Sequence, residues 1–289
     1  LSDMDVKTDV PLKELTSFRI GGPAAGVVRP KTESELCRAL SAAEEAELPF
    51  RILGNGTNVL APDAGFPGLV LRLDAPFFPL LIDGCTVHAA AGESLARAAH
   101  ASVAAGLSGM EGLEGIPGTI GGACAMNAGA FGSEMKPILK RVRVYRGGEI
   151  SDVTVRDEDL GHRRSGYAAP SAIVLRAELV LAPDNGHAAE RTAEFSRRRR
   201  EKQPLTLPSA GSVFKRPAGH FAGGLIDQCG LKGLRIGGAE VSEKHAGFIV
   251  NMGGATEAAV RALVAEIRRR VLVDTGVQLE RELKYWDEV

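Results

Sequence analysis

Two glycine-bearing segments have the composition of backbone that holds a ligand. Gly54-Asn55-Gly56-Thr57-Asn58 directly follows Phe50-Arg51-Ile52-Leu53, which reads as a short strand. Glycine permits tight turns and close approach, so such a loop can present successive N–H groups to a phosphate. Val59-Leu60-Ala61-Pro62 offers no helical continuation, which sets the segment apart from the dinucleotide fingerprint in which a glycine loop opens a helix. Taken alone, it fits a plain turn equally well. The second segment says more: Gly115 to Gly132 runs without a charge and is built mainly from small residues. Each glycine loses about 0.5–1 kcal/mol of chain entropy relative to alanine, a penalty that a simple buried loop has no reason to carry. The expectation is loop-rich backbone lying flat against a large planar ligand.

Other chemistries find less support. The cysteines, Cys37, Cys85, Cys124 and Cys229, lie far apart with no CxxC pair. That argues against a metal knuckle or redox dithiol and for buried free thiols in a reducing compartment; no metal site is expected. With 35 basic and 36 acidic residues there is no global field for nucleic acid or a membrane surface, so an anionic ligand must be held locally. The opening LSDMDVKTDV has no apolar stretch flanked by positive charge, and neither signal peptide nor anchor is expected, which implies a cytoplasmic protein. Gly115 to Ser133 is nearly long enough to span a bilayer, yet it holds six glycines and a proline. Oligomeric state is written in none of these features.

The 289 residues suffice for a sizeable core and roughly two domains, one or three also being possible. Thr32 and Glu35 form a capping-box pattern, and Leu36, Ala39, Leu40 and Ala43 share one helical face up to Pro49, so the opening is β-α-β in character. A second helix is expected from Ser94 to Ala105, closed by Gly106. Strand-like runs span residues 68–73, 86–91, 141–146, 150–155 and 173–181, with Gly147-Gly148 as a hairpin turn. Residues 188–202 read as a strongly basic helix, and the arginine run Arg197 to Arg200 as one solvated face of it. A boundary is expected near Pro204. Beyond it, Val260, Leu263, Val264, Ile267 and Val271 mark a helix over 256–273, then Gly276 and a strand, VQLERELKYW.

These segments, together with Thr16-Ser-Phe-Arg-Ile-Gly-Gly22, resemble the FAD-binding half of the UDP-N-acetylenolpyruvoylglucosamine reductase (MurB) family. PSAGSVFKRP (208–217), GGLIDQCGLKG (223–233), VSEKHAGFIVN (241–251) and LEREL (279–283) continue the likeness in the family's order over nearly the whole chain. The resemblance implies an α+β fold: a two-part FAD-binding region of vanillyl-alcohol oxidase (PCMH) type, residues 1–70 and 71–203, and a C-terminal α+β substrate-binding domain, 204–289. It implies FAD and NADPH as cofactors and a UDP-sugar as substrate. The flavin would be held by Gly54, Asn55, Gly56, Thr57, Asn58, Gly115, Pro117, Gly118, Thr119, Gly121, Gly122, Ala125, Asn127 and Gly129. Ser212 falls on the family's proton donor, Arg163 on the arginine of its YRxS motif, and Glu282 on its carboxylate. Lys202 of KQP would help hold the diphosphate, with Lys215 and Arg216 also on the substrate side.

The chemistry asks for such residues. Hydride addition to the enolpyruvyl CH2 pushes negative charge onto the carbon beside the carboxylate. A fixed guanidinium or a protonated carboxylic acid can stabilise that charge, and a hydroxyl can protonate the carbon if nearby cations favour its alkoxide. From the residues alone, Glu280 and Glu282 also fit a solvated strand edge, Arg163 and Arg164 a polar surface loop, and Ser212 a turn. Two positions depart from the family: His162 stands where tyrosine is usual, and Arg216 where some members have asparagine. A flavin-binding protein without chemistry would not need Arg163, Ser212 and Glu282 together. An FAD oxidase of the same fold would leave PSAGSVFK and LEREL unexplained.

Overall fold

The structure, a computed structural model, describes residues 4–170 and 172–288; the first three residues of the N-terminal segment read above lie outside these. The chain divides into two compact units. The first comprises residues 4–8, Gly26–Asn55 and Pro67–Arg199, and the second Asp9–Ala25, Gly56–Phe66 and residues 200–288. Mixed helix and strand content makes the fold α+β.

The helix Glu33–Glu45 in the first unit starts where its sequence says it should. Thr32 Oγ1 accepts from the Glu35 N–H at 3.1 Å, and Glu35 Oε2 accepts from the Lys31 N–H at 2.7 Å. Its apolar face buries Leu36, Ala39, Leu40 and Ala43 against Leu69 and Leu71. Leu71 lies on the strand Phe66–Arg72, which pairs in parallel with Phe50–Leu53. The main sheet of this unit is antiparallel, in the order Glu149–Thr154, Leu139–Arg146, Ile173–Val180, Thr86–Ala90, Leu81–Asp83. Gly147 and Gly148 turn its first hairpin at φ +52° and +93°, the left-handed values a two-residue turn needs. Leu95–Ala104, capped by Ser94, packs Leu95, Ala98 and Ala99 into the core that Val87, Val142 and Leu179 line.

The second unit centres on an antiparallel sheet, Ser209–Ser212, Phe248–Asn251, Ala239–Val241, Arg235–Ile236. Helix Glu257–Thr275 lies in its core through Val260, Leu263, Val264, Ile267 and Val271, with Phe18, Ile20 and Leu60 from distant sequence. Thr256 caps this helix and Gly276, at φ +72°, ends it.

Three readings need correction. The uncharged segment is not loop throughout: Ile120–Met126 forms a helix, because Thr119 Oγ1 caps the Gly122 N–H at 3.2 Å while Ile120, Ala123 and Cys124 bury one face. VQLERELKYW is not one strand. Its backbone pairs at Arg281 with Phe214, then as Lys284–Tyr285 in parallel with Val59–Leu60. All four cysteines are free, but only Cys124 is buried; Cys37, Cys85 and Cys229 pack at the margins of the cores and are partly exposed.

Candidate active site

In the first unit, two glycine-bearing segments approach each other closely. A Cβ on Gly54 would stand 2.5 Å from Thr119 Oγ1, so only glycine fits there. Asn55 Nδ2 donates to the Pro117 carbonyl at 3.0 Å and fastens the two loops. Gly121 backs onto Ala91, where a Cβ would lie 2.9 Å from the Ala91 methyl, but a Cβ on Gly122 would meet nothing nearer than Thr119 Oγ1 at 3.4 Å. Gly122 is exposed. Capped backbone of this kind fits a flavin dinucleotide, with Gly122 open toward a ligand and Gly54, Asn55, Pro117, Thr119 and Gly121 shaping the loops around it.

Arg163 belongs to the same neighbourhood. Its backbone is left-handed at φ +52°, unusual for a non-glycine residue. Nη2 donates to the Gly129 carbonyl at 2.6 Å and Nη1 to the Asn127 carbonyl at 3.3 Å. Asn127 is fully buried and left-handed at φ +43°. Its Nδ2 donates to the Gly161 carbonyl at 2.8 Å, and its Oδ1 accepts from the Lys136 N–H at 2.9 Å. Asn127 therefore ties the end of the glycine-rich segment to the hairpin Leu160–Ser165 that carries Arg163. Arg164, by contrast, is exposed.

Sequence reasoning missed what the helix Ala188–Lys202 does to this segment. Its arginine run is not one solvated face. Arg199 is half-buried, and a Cβ on Gly115 would lie 2.2 Å from Arg199 Nε. Arg198 and Arg199 lie 5.4 and 5.3 Å from the Phe131 ring centre, and Phe131 stacks on Phe195 at 4.9 Å. Burial lowers the Arg199 pKa, and the Glu114 carboxylate opposes that shift. Ser196 Oγ donates to Glu114 at 2.6 Å, and Arg191 Nη2 to buried Glu111 at 2.6 Å. Residues 191, 195 and 199 recur every four positions, which was the signal available: a helix face carrying Phe195 beside arginines is not purely solvated.

In the second unit, Gly56 lies against Leu15, where a Cβ would meet the Leu15 carbonyl at 2.3 Å, and Ser17 N donates to the Gly56 carbonyl at 3.0 Å. Ser17 Oγ donates to the Ser209 carbonyl at 2.7 Å, tying TSFRIGG to the strand that ends in Ser212. Ser212 is exposed. The Glu282 N–H donates to the Val213 carbonyl at 2.8 Å, and Asn58 Nδ2 to the Glu282 carbonyl at 3.3 Å. Glu282 is half-buried, so the solvated-edge reading suits Glu280 but not Glu282. The Lys215 N–H donates to the Glu280 carbonyl at 2.8 Å, and its ammonium pairs with the Glu280 carboxylate. Arg216 stacks over Phe221 with 4.0 Å between guanidinium and ring centre. Lys202 is exposed at the end of its helix, and its charge reaches His245.

Gly54, Asn55, residues 115–129 and Arg163 thus gather in one unit, and Gly56 to Asn58, Ser212, Lys215 and Glu282 in the other. Among the described residues no cluster of three or more His, Cys, Asp or Glu is placed to hold a metal ion, and no helix is long and apolar enough to cross a membrane.

Comparison with known proteins bears on both units. An FAD binding domain model matches residues 24–151, and a model described as UDP-N-acetylenolpyruvoylglucosamine reductase, C-terminal domain, matches residues 203–286. A UDP-N-acetylenolpyruvoylglucosamine reductase from Alkaliphilus oremlandii is 44% identical over 281 residues, covering 96% of this chain and 92% of its own. Another, from Clostridioides difficile, is 43% identical over 290 residues, covering 100% and 95%. The crystal structure of the reductase from Thermus caldophilus superposes with a TM-score of 0.81 at 38% identity, covering 98% of this chain and 99% of that one.

Proposed function

Because the chain belongs to the UDP-N-acetylenolpyruvoylglucosamine reductase family, we propose that Arg163, Ser212 and Glu282 carry out the NADPH-dependent reduction of UDP-N-acetylenolpyruvoylglucosamine to UDP-N-acetylmuramate on this scaffold. The protein is an FAD-containing oxidoreductase of peptidoglycan precursor synthesis. Identity at this level along the whole chain does not favour a non-catalytic flavin protein or an alcohol oxidase. Gly54, Asn55, Pro117, Thr119, Gly121 and Gly122 would hold FAD, which when bound would supply the hydride relay between NADPH and substrate.

The observation that carries the residue assignment is the joint between the proton donor's strand and the LEREL segment. Ser212 is exposed, while the next residue holds the Glu282 backbone in place. Once the enolpyruvyl CH2 has gained hydride, the adjacent carbon carries enolate charge. Arg163, with its planar guanidinium already steadied by two carbonyls, stabilises that charge, and Glu282 assists by donating a hydrogen bond when protonated. Ser212 Oγ then gives its proton to carbon. Lys215 or Arg163 favours the resulting alkoxide, Lys202 helps hold the diphosphate, and Arg216 lies on the substrate side.

In domain terms we assign 1–70 and 71–203 to the two flavin-binding parts and 204–289 to the substrate-binding part; the family model matching 203–286 supports the last limit, and Asp9–Ala25 and Gly56–Phe66 of the first part fold into the compact unit that holds the C-terminal residues. We place the reaction in the cytoplasm, in keeping with four free cysteines. Mixing purified protein, FAD, NADPH and the enolpyruvyl UDP-sugar should give substrate-dependent NADPH loss. Flavin reduction without transfer to that substrate would sink the assignment.

A further inference from the structure

The unit around Ser212 exposes one aromatic ring that the chemistry above does not use. Phe221 is 65% exposed, the only aromatic among the large apolar side chains left exposed in the described residues. Its position is built. Pro217-Ala218-Gly219-His220 makes a turn in which the His220 N–H donates to the Pro217 carbonyl at 3.2 Å and Gly219 takes φ +73°. That turn returns the chain so that the Arg216 guanidinium lies 4.0 Å over the ring. On the other side, the Phe221 carbonyl accepts the Leu225 N–H at 3.0 Å at the start of helix Ala222–Gln228, whose Ala222, Leu225 and Ile226 are anchored in the core. One face of the phenyl ring is covered by a cation, so its exposure arises from the other face and the edge.

The ring's place in the unit gives that open face a meaning. Ser212 pairs with Phe248, and the Phe248 ring meets His245 edge-on at 4.9 Å. A Cβ on Gly223 would stand 3.1 Å from His245 Cε1, which puts His245 under the first turn of the helix that Phe221 opens. Burial chiefly lowers the His245 pKa, and the charges of Lys232 and Lys202 lower it further, so both lysines lie near it. From Ser212 to Phe221 the unit therefore offers a proton donor, then basic groups, then an exposed ring. A UDP-sugar presents its parts in the same order: enolpyruvyl group, diphosphate, pyrimidine.

We propose that Phe221, backed by Arg216, is the platform on which the uracil ring of the substrate stacks. The proposal rests on the functional reading above. A flat, electron-poor pyrimidine suits a phenyl face, and the guanidinium behind the ring holds it flat at little conformational loss while adding positive charge beside the diphosphate.

Base–aromatic stacking predicts that Phe221→Ala raises KM for the UDP-substrate about 5-fold to 150-fold, with the loss falling on KM rather than kcat. Phe221→Tyr should restore KM and Phe221→Leu should not, because the interaction needs a ring rather than apolar bulk. The enolpyruvyl amino-sugar 1-phosphate, which lacks uridine, should be used equally by Phe221→Ala and wild type. Unchanged KM in Phe221→Ala, full recovery by leucine, or an equal loss on the uridine-free compound would each overturn the platform while leaving the functional reading intact. Wild-type protein that oxidises no NADPH with the full substrate would overturn the reading itself, and the platform with it.

Discussion

The Glu282 N–H donates to the Val213 carbonyl at 2.8 Å, so Ser212 and Glu282 are separated by one residue and one hydrogen bond. Two segments some seventy residues apart in sequence are fixed at the point where proton transfer is proposed.

Ser212→Ala therefore separates the two half-reactions. Flavin reduction by NADPH needs no proton at the substrate carbon and should proceed at nearly the normal rate. Transfer to the enolpyruvyl sugar should slow by about 10²–10⁴-fold. Ser212→Cys should recover part of the loss. Stopped-flow flavin absorbance reads each step; equal slowing of both would show that Ser212 only holds the strand.

Arg163→Lys should not behave as a conservative change. Lysine keeps the charge but cannot donate at once to the Gly129 and Asn127 carbonyls and still present a planar edge to an enolate. Turnover should fall far more than NADPH affinity. Arg164→Lys is the control because Arg164 is exposed. Equal loss in both variants would reject the assignment.

Gly121→Val and Gly122→Val should differ in kind. The first drives a side chain into Ala91 and should destabilise the fold by roughly 1–3 kcal/mol, visible as a lowered melting temperature. The second meets only Thr119 Oγ1 at 3.4 Å and should leave a folded protein that has lost FAD. Normal flavin content in a folded Gly122→Val would show that this turn does not touch the cofactor.

Arg191→Ala should loosen the helix Ala188–Lys202. Glu111 is 5% exposed; burial raises its pKa, but hydrogen bonds from Arg191, Gly109 and Ser108 outweigh that and hold it below the usual carboxylate range. Its folded value thus lies under the unfolded one. The stabilisation is complete above the ordinary carboxylate range and is lost as pH falls through it. The expected loss at neutral pH is about 2–3 kcal/mol, less than for a fully buried pair because the Arg191 side chain is 35% exposed. Denaturant titrations at pH 7 and pH 4 should show the wild-type advantage shrinking in acid; an advantage independent of pH would reject it.

Much of this architecture can be read locally. Thr32, Ser94 and Thr256 announced their helices because a capping hydroxyl and the apolar spacing behind it are short-range facts. Gly147-Gly148 was legible for the same reason. The helix Ile120–Met126 was not, since glycines at its second and third positions argue against helix and only the burial of Ile120, Ala123 and Cys124 reverses that. Nor could Arg199 be singled out from its neighbours, because what distinguishes it is the bare Gly115 backbone more than eighty positions earlier. The alternation in LEREL accords with buried Leu279 and Leu283, but a strand needs a partner along its length, and among the described residues the ladder forms only at Arg281 and at Lys284–Tyr285.

The second unit is woven from residues 9–25, 56–66 and 200–288, which sets a timetable on the ribosome. Phe18, Ile20 and Leu60 emerge early, yet the side chains that bury them, from Ala210 to Tyr285, are translated last. For most of synthesis these three apolar residues wait without their core, so a nascent chain halted before the final third presents a sticky surface for chaperones or neighbours. The same weave argues against lifting residues 204–288 out as an autonomous module, because Phe18, Ile20 and Leu60 are part of their core.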